Sequence, residues 1–336
     1  MRLVFMGTPA FAVPSLSALL DAGHEVSLVV TRPDRPAGRG RLMTPPPVKT
    51  LALQSGLSVL QPEKIREPGF LDALRKAQPE AIVVVAYGKI LPREVLDLPE
   101  KGCLNLHASL LPKFRGASPV AWAILAGEKR TGVCTMRLTE GMDEGPVCLC
   151  EETPIGPDET AGELSERLAE IGAGLVVRTL EGLGAGTLVP REQDHAKASY
   201  APLLVKSDGE LDWSEDATAI CRRIRAMSPW PGGWTVFAEE GSEGETWQIV
   251  RAVEAEEKGE PGIVQAAGRE GIVVTAGRGA VRIVTVKPAG KRVMPASSLL
   301  SGRKIGPGGR FLFRPGCHRE RRPGAGRPPA PSPSKR

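Results

Sequence analysis

What this sequence lacks excludes several classes of protein. None of the six cysteines belongs to a C-x-x-C pair or lies near two histidines, so we expect no zinc site. No apolar run approaches the roughly 18 residues that a membrane-spanning helix needs, and the apolar start at 1–6 is too short for a secretory signal. We therefore expect a soluble, cytoplasmic protein in which most of the cysteines are small buried residues in a reducing compartment.

The sequence also lacks a dinucleotide-binding turn. The apolar strand-like run at 3–6 ends at Gly7, but Thr8 and Pro9 follow and no G-x-G-x-x-G is present, so we expect no nicotinamide cofactor. Strand and helix patterns still alternate through the first half, and residues 81–87 are apolar throughout, as expected for a central parallel strand. The first half therefore predicts an α/β fold with a doubly wound, mostly parallel sheet.

The length of 336 residues, with 41% hydrophobic residues, is enough for two domains that each have a core. After residue 209, short runs of β-branched residues separated by glycine predict a small β-barrel. From Pro315 onward the apolar periodicity stops, which favours disorder. We expect an α/β domain at 1–189, a linker at 190–208, a barrel at 209–314 and a disordered basic tail at 315–336.

The net charge of +5 is distributed unevenly. Residues 303–336 carry ten Lys or Arg against one Glu, a balance of +9, so the rest of the chain carries −4. Because the tail supplies the overall basicity, any argument for nucleic-acid binding has to rest on local patches.

One such patch is the segment 31–49, which is rich in proline and glycine and carries five basic residues against Asp34. We expect neither strand nor helix there. A solvated surface loop would explain this composition. A long basic loop beside an active site would also suit the clamping of phosphates or insertion into the end of an RNA.

The candidate catalytic residues lie between 103 and 146. In the alternating run 104–107, Asn105 and His107 project from one face of a strand. Asp143 lies in a glycine-flanked loop that can bring a carboxylate to this pair. An Asn-x-His pair in a strand often only satisfies its own hydrogen bonds. An amide, an imidazole and a carboxylate together would also suit acyl transfer to an amine, without a covalent nucleophile.

These residues carry a family resemblance. The run from Asn105 to Pro112, followed by Arg115-Gly116 and by the Asp143 loop, resembles the 10-formyltetrahydrofolate-dependent formyltransferases. The resemblance extends from Met1 to about Phe313. It implies a formyltransferase-like domain of the Rossmann type with a C-terminal barrel that resembles oligonucleotide-binding domains.

The resemblance also implies a function and its residues. Formyl would pass from 10-formyltetrahydrofolate to the α-amino group of methionyl-initiator tRNA, with no metal and with the protein as a monomer. Catalysis would use Asn105, His107 and Asp143. The folate would lie against Ser109, Leu110, Leu111 and Pro112, with its pterin near 87–91 and 141–146. The tRNA would contact Arg35, Arg39, Arg41, Lys287, Lys291 and Arg292.

Three alternatives stay open at this point. A related formyltransferase would act on a sugar nucleotide or another small amine, which leaves the basic loop 32–49 unexplained. A hydrolase would transfer formyl to water and would not need RNA-binding additions. A non-catalytic RNA-binding module would explain the basic patches but give no purpose to the three candidate catalytic residues.

Overall fold

The structure is a computed structural model, and it describes residues 1–37, 40, 42–67, 69–239, 244–300 and 305–313. The chain divides into two compact units. The first comprises Met1–Ala123 and Glu128–Leu203, and the second comprises Ile124–Gly127 and Leu204–Arg336. Arg39, Arg41 and the tail 315–336 lie outside the described residues. Within the described ranges, no helix is long and apolar enough to cross a membrane.

The first unit alternates strands and helices. Its strands are β1 (Arg2–Gly7), β2 (Glu25–Val30), β3 (Arg35–Ala37), β4 (Leu42–Thr44), β5 (Val59–Leu60), β6 (Ala81–Val85), β7 (Cys103–His107), β8 (Arg130–Arg137) and β9 (Val147–Pro154). Its helices are α1 (Val13–Asp21), α2 (Pro47–Gln54), α3 (Phe70–Ala77), α4 (Arg93–Leu96), α5 (Pro119–Leu125) and α6 (Ala161–Gly184). Residues 124 and 125 of α5 belong to the second unit.

Seven of these strands form one sheet in the order β5-β2-β1-β6-β7-β8-β9. The pairs from β5 to β7 are parallel, and the pairs β7–β8 and β8–β9 are antiparallel. All five residues of β6 are buried, because its apolar run lies between β1 and β7 and is covered on both faces. The predicted doubly wound, mostly parallel sheet is confirmed.

Helix α6 begins where its sequence predicts. The Thr160 hydroxyl accepts from the backbone N–H of Glu163 at 3.3 Å, and the Glu163 carboxylate accepts from the backbone N–H of Thr160 at 2.9 Å. These reciprocal bonds satisfy two N–H groups that a helix start leaves without partners. The buried side of α6 packs on β8 and β9 and so supports the strands next to β7.

The proline- and glycine-rich segment 31–49 has more regular structure than its composition predicts. Strands β3 and β4 pair as an antiparallel ribbon, and α2 begins at Pro47. A proline at the first position of a helix costs little, because its missing N–H would have no partner there. The expectation of neither strand nor helix in this segment is therefore wrong.

The second unit is mostly β-structure. Its strands are β10 (Gly233–Ala238), β11 (Glu245–Ala255), β12 (Val264–Gly268), β13 (Gly271–Thr275), β14 (Ala280–Pro288), β15 (Met294–Pro295) and β16 (Arg310–Leu312). Its helices are α7 (Ala217–Ala226) and α8 (Ala296–Leu299).

The strands of this unit form an antiparallel sheet in the order β12-β13-β14-β11-β10-β16, with β15 beside β14. The sheet curls until its ends meet, where Phe311 N–H donates to the Gly262 carbonyl at 2.7 Å and Val264 N–H donates to the Gly309 carbonyl at 2.8 Å. Trp247 packs against Phe237 and Phe311 inside it. The predicted small barrel is confirmed.

The cysteines differ in part from expectation. Cys134 of β8 and Cys150 of β9 are register partners and form a disulfide, with Cα atoms 4.1 Å apart. The prediction of buried free thiols is therefore wrong for this pair. It is right for Cys103, Cys148 and Cys221, which are buried and free. The strand register that pairs two cysteines could not be read from their separation in sequence.

Candidate active site

The site is built on β7, whose two faces have different roles. Leu106 faces α6, where a Cβ atom on Gly172 would lie only 2.5 Å from the Leu106 Cδ2 atom. Only a glycine leaves room for that leucine, so the helix packs closely on this face of the strand. Asn105 and His107 therefore project from the opposite face. No hydrogen bond from a described residue reaches the Asn105 carboxamide, which leaves it available to a ligand.

His107 lies between two oxygen atoms. It is 5% exposed, its Nε2 lies 2.8 Å from the Phe114 carbonyl oxygen, and its Nδ1 lies 3.6 Å from Oδ2 of Asp143. Both neighbours are acceptors, and a neutral imidazole can donate from only one nitrogen. The imidazolium form can donate toward both oxygens, whereas the neutral form can donate toward only one.

Asp143 reaches His107 because its loop folds back over the sheet. The loop leaves β8 at Arg137, which pairs with Leu104 near the start of β7, whereas His107 is at the end of β7. The Asp143 carboxylate accepts from the Gly116 N–H at 2.8 Å through the same Oδ2 that faces His107. Among the described residues no donor reaches Oδ1, so this oxygen can accept a proton from a ligand.

Both residues that contact the His107 ring have unusual backbone conformations. Phe114 has φ +58° and Asp143 has φ +50°, in the left-handed region that side-chain-bearing residues rarely adopt. Such conformations persist only where the surrounding contacts enforce them, and they are concentrated at functional sites. The strain therefore lies at the two residues that orient the imidazole.

Sequence reasoning missed the support behind this loop. Gln193 is buried and donates to the backbone carbonyls of Asp143 and Gly145, and Arg115 donates to Gln193. In sequence, Arg115 belongs to the motif that carries the family resemblance, but nothing there predicts its role, and Gln193 lies in the expected linker 190–208. A buried polar residue among exposed neighbours is visible only in the structure.

The candidate folate residues 109–112 form the turn after β7. The Ser109 hydroxyl is buried and donates to the Lys113 carbonyl at 2.6 Å, so it stabilises the turn. Leu110, Leu111 and Pro112 line a surface pocket of about 360 Å³. The described structure therefore offers the apolar side chains of this turn, and not the Ser109 hydroxyl, to a ligand.

Two further loops present apolar side chains to solvent. Ile90, after β6, is 79% exposed, and Met142, beside Asp143, is 60% exposed. Tyr87, three residues before Ile90, is buried, and burial raises the pKa of its hydroxyl to about 12. Arg32 donates to the Tyr87 carbonyl at 3.1 Å and so anchors the loop after β6. Ile90 and Met142 would suit contact with a flat aromatic ligand.

Two of the described free thiols, Cys103 and Cys148, are poorly suited to act as nucleophiles. Burial raises the pKa of Cys103 to about 12 and that of Cys148 to about 11. Both therefore stay protonated near neutral pH, and a thiol is a much weaker nucleophile than a thiolate. This favours direct attack by the acceptor on the donor over a covalent enzyme intermediate through either group.

The candidate RNA-binding residues divide between the two units. Arg35 is exposed on β3, and Lys287, Lys291 and Arg292 are exposed at the end of β14 and in the turn that follows. None of the four forms an ion pair with a described residue. Lys49, by contrast, pairs with Asp34 at 2.7 Å, so this ion pair joins the two ends of the segment 34–49.

Two protein-family models match the chain. The formyl transferase model matches residues 1–180, and the model of the formyl transferase C-terminal domain matches residues 203–304. The two matches together cover most of the described residues of both units.

Curated relatives extend over nearly the whole chain. It is 50% identical over 310 residues to a methionyl-tRNA formyltransferase of Moorella thermoacetica, covering 92% of this chain and 98% of that protein. It is 46% identical over 309 residues to a methionyl-tRNA formyltransferase of Citrifermentans bemidjiense, covering 92% of this chain and 96% of that protein.

Solved structures share the fold at lower identity. HypX from Aquifex aeolicus, in complex with tetrahydrofolic acid, matches 94% of this chain and 51% of its own, with a TM-score of 0.62 and 20% identity. Methionyl-tRNA formyltransferase from Clostridium thermocellum matches 75% of this chain and 93% of its own, with a TM-score of 0.53 and 16% identity. At these identities the likeness concerns the fold alone.

Proposed function

Because this chain belongs to the formyl transferase family, we propose that it transfers the formyl group of 10-formyltetrahydrofolate to the α-amino group of methionyl-initiator tRNA. The product, formylmethionyl-tRNA, would serve translation initiation, and we expect a cytoplasmic monomer. The observation that carries the proposal is the His107–Asp143 pair beside an unpartnered Asn105. The pair lies in a chain whose sequence is 50% identical to that of a curated methionyl-tRNA formyltransferase.

Asn105 and His107 would stabilise the charge that develops during transfer. When the amine attacks the formyl carbon, negative charge develops on the formyl oxygen. The Asn105 carboxamide can donate to that oxygen, and a protonated His107 places a positive charge on the same face of β7. Donors and charges that are fixed before reaction stabilise a transition state without reorganisation cost.

Asp143 would have two tasks. Its Oδ2, oriented by the Gly116 N–H, stabilises the imidazolium form of His107. Its Oδ1 can accept the proton that the attacking amine must lose. The bond between the formyl carbon and the folate nitrogen then breaks, this nitrogen takes up the proton held at Oδ1 and leaves as an amine, and no protein nucleophile takes part.

The folate would bind along apolar loops. Leu110, Leu111 and Pro112 supply apolar surface after β7, and the backbone of the turn that Ser109 stabilises would border the ligand. The pterin would lie between the loops that carry the exposed Ile90 and Met142. Shielding these apolar side chains from water on binding would contribute to affinity.

The tRNA would be bound through exposed cations. Arg35, with Arg39 and Arg41 outside the described residues, would contact the acceptor end from the α/β domain at 1–189. Lys287, Lys291 and Arg292 would contact the backbone from the barrel domain at 209–314. A cation that forms no ion pair within the protein can pair with a phosphate without first breaking such a pair.

One assay tests the function against its alternatives. The purified chain would be supplied with 10-formyltetrahydrofolate and, in separate reactions, methionyl-tRNA, free methionine, an amino sugar nucleotide or water alone. We expect formyl transfer to methionyl-tRNA at a rate far above the others. Preferential transfer to the sugar nucleotide or to water, or no transfer while RNA still binds, would overturn the proposal.

A further inference from the structure

Gln193 occupies a buried position where all its hydrogen-bonding groups are used. Its side-chain oxygen accepts from Arg115 Nε at 3.2 Å and from Arg115 Nη2 at 2.8 Å. Its side-chain nitrogen donates to the carbonyl oxygens of Asp143 at 2.9 Å and of Gly145 at 2.7 Å. The carboxamide therefore links the segment after β7 to the loop that carries the Asp143 carboxylate.

These partners require an amide and no other side chain. A guanidinium only donates and backbone carbonyls only accept, so the residue between them must present an acceptor on one side and two donors on the other. A carboxylate would satisfy Arg115 but face two carbonyls with no hydrogen to donate. An apolar side chain would leave all of these groups without partners.

Arg115 fixes the direction in which this amide points. Its guanidinium is 2% exposed, and no carboxylate of a described residue lies within ion-pair distance of it. Besides Gln193, it contacts Nδ1 of His195 at 3.3 Å. A buried permanent charge needs acceptors, so Arg115 holds the oxygen of Gln193 toward itself and the NH2 group toward the loop.

The bonds from Gln193 end where the backbone is strained. Asp143 has φ +50°. Gln193 donates to its carbonyl and to that of Gly145, two residues later. Without these bonds the loop could relax toward an ordinary conformation. The carboxylate would then move away from His107 and from the Gly116 N–H, because a side chain follows its backbone.

We propose that Gln193 is a positioning residue, which holds the Asp143 loop in its strained conformation and, through Asp143, orients His107. Arg115 acts behind it by orienting the amide. The kinetic consequence rests on the proposed function of formyl transfer, whereas the structural consequence does not.

The test uses Gln193→Glu, which keeps the acceptors for Arg115 and removes both donors to the loop. The new carboxylate gains a charged partner, so the thermal midpoint should stay near that of the unmodified protein. Ala196→Glu adds the same charge at an exposed position of the same segment and serves as the control. If the glutamate variant does not fold, Gln193→Met removes the two donors to the loop at similar volume, although it also removes the acceptor for Arg115.

The first measurement does not depend on activity. Hydrogen exchange at Gly116 reports its bond to the Asp143 carboxylate. In Gln193→Glu, exchange at Gly116 should be about tenfold faster, as in Asp143→Ala. The N–H groups of Arg115 and Ala201, which pair with the Ser199 and Arg115 carbonyls, should stay protected. Unchanged protection at Gly116 would overturn the proposal.

The second measurement is a double-mutant cycle on formyl transfer to methionyl-tRNA. Gln193→Glu should lower kcat by about a hundredfold with little change in the KM for folate. In an Asp143→Ala background it should cost nothing further, because it acts through Asp143. If the losses in kcat from Gln193→Glu and Asp143→Ala multiply in the double variant, Gln193 does not act through Asp143 and the positioning role is overturned. If the unmodified protein transfers no formyl to methionyl-tRNA, the proposed function fails, and the exchange measurement alone decides the role of Gln193.

Discussion

At the scale of single residues, the geometry of the site depends on the contacts around His107 as well as on the three candidate catalytic residues themselves. Two acceptors contact its ring, and the residues that supply them, Phe114 and Asp143, both have positive φ. The sequence shows that Asn105 and His107 share a face and that Asp143 lies in a glycine-flanked loop. It does not show that the loop folds back over β7, because this depends on Gln193, fifty residues away along the chain.

A first prediction concerns these three residues. Asn105→Ala, His107→Ala and Asp143→Ala should each lower kcat by at least about a hundredfold while the protein stays folded. Asp143→Asn should lose nearly as much as Asp143→Ala, because a neutral amide cannot stabilise an imidazolium. Initial rates with saturating folate and methionyl-tRNA measure this. A variant with near-normal turnover would remove its residue from the mechanism.

At the scale of elements, the sequence predicts well those elements whose signals are local, such as a capped helix. It predicts poorly those short strands that form only because they pair with distant parts of the chain. The capping box of Thr160 and Glu163 and the apolar periodicity that follows predict a helix to about Leu183, and the helix runs Ala161–Gly184, because both signals are local to it. Strands β10 and β16 were not predicted. Three-residue β16 exists because it pairs with β10 and with the start of β12, and such partners are not evident from a short run.

A second prediction concerns the start of α6. Thr160→Ala should lower the free energy of unfolding by about 1 kcal/mol, because it removes the acceptor for the Glu163 N–H. Thr187→Ala, whose hydroxyl makes only a 3.4 Å contact at an exposed position, is the matched control and should have little effect. Urea unfolding of both variants measures the difference, and equal stabilities would exclude a contribution from the cap.

A third prediction concerns the strands that flank the Asp143 loop. The Cys134–Cys150 disulfide joins β8 to β9 across a separation of 16 residues, so it restricts the unfolded chain. Reductant should therefore lower the free energy of unfolding by about 3 kcal/mol. Cys150→Ser should show the same loss and no response to reductant. If reductant leaves the unmodified protein unchanged, the disulfide adds no stability.

At the scale of the whole molecule, the positive charge is concentrated at one end of the chain. The balance of +9 over residues 303–336 leaves −4 for residues 1–302, so that part of the chain does not attract RNA through net charge. Specific cations would have to do so. In the described part of the second unit, Lys287, Lys291 and Arg292 are exposed and have no acidic partner, whereas Arg278 pairs with Asp216 at 2.7 Å.

The final prediction uses that difference. Replacing Lys287, Lys291 and Arg292 together by alanine should raise the KM for methionyl-tRNA by about tenfold at moderate salt and leave kcat and folate binding unchanged, because these residues are assigned to RNA alone. The slope of log affinity against log salt should fall by about one for each phosphate that the variant no longer neutralises.

Arg278→Ala is the control, since it removes an exposed cation that already has a carboxylate partner. It should leave both the KM and the salt slope nearly unchanged, because the Asp216 carboxylate already offsets the charge that this substitution removes. Rates at three salt concentrations separate the cases. If Arg278→Ala, which removes one charge, has about one third of the effect of the triple variant, which removes three, general charge attracts the tRNA and the turn after β14 does not bind it. If only the triple variant shows weaker affinity and a smaller slope, the barrel contributes a defined backbone-binding surface.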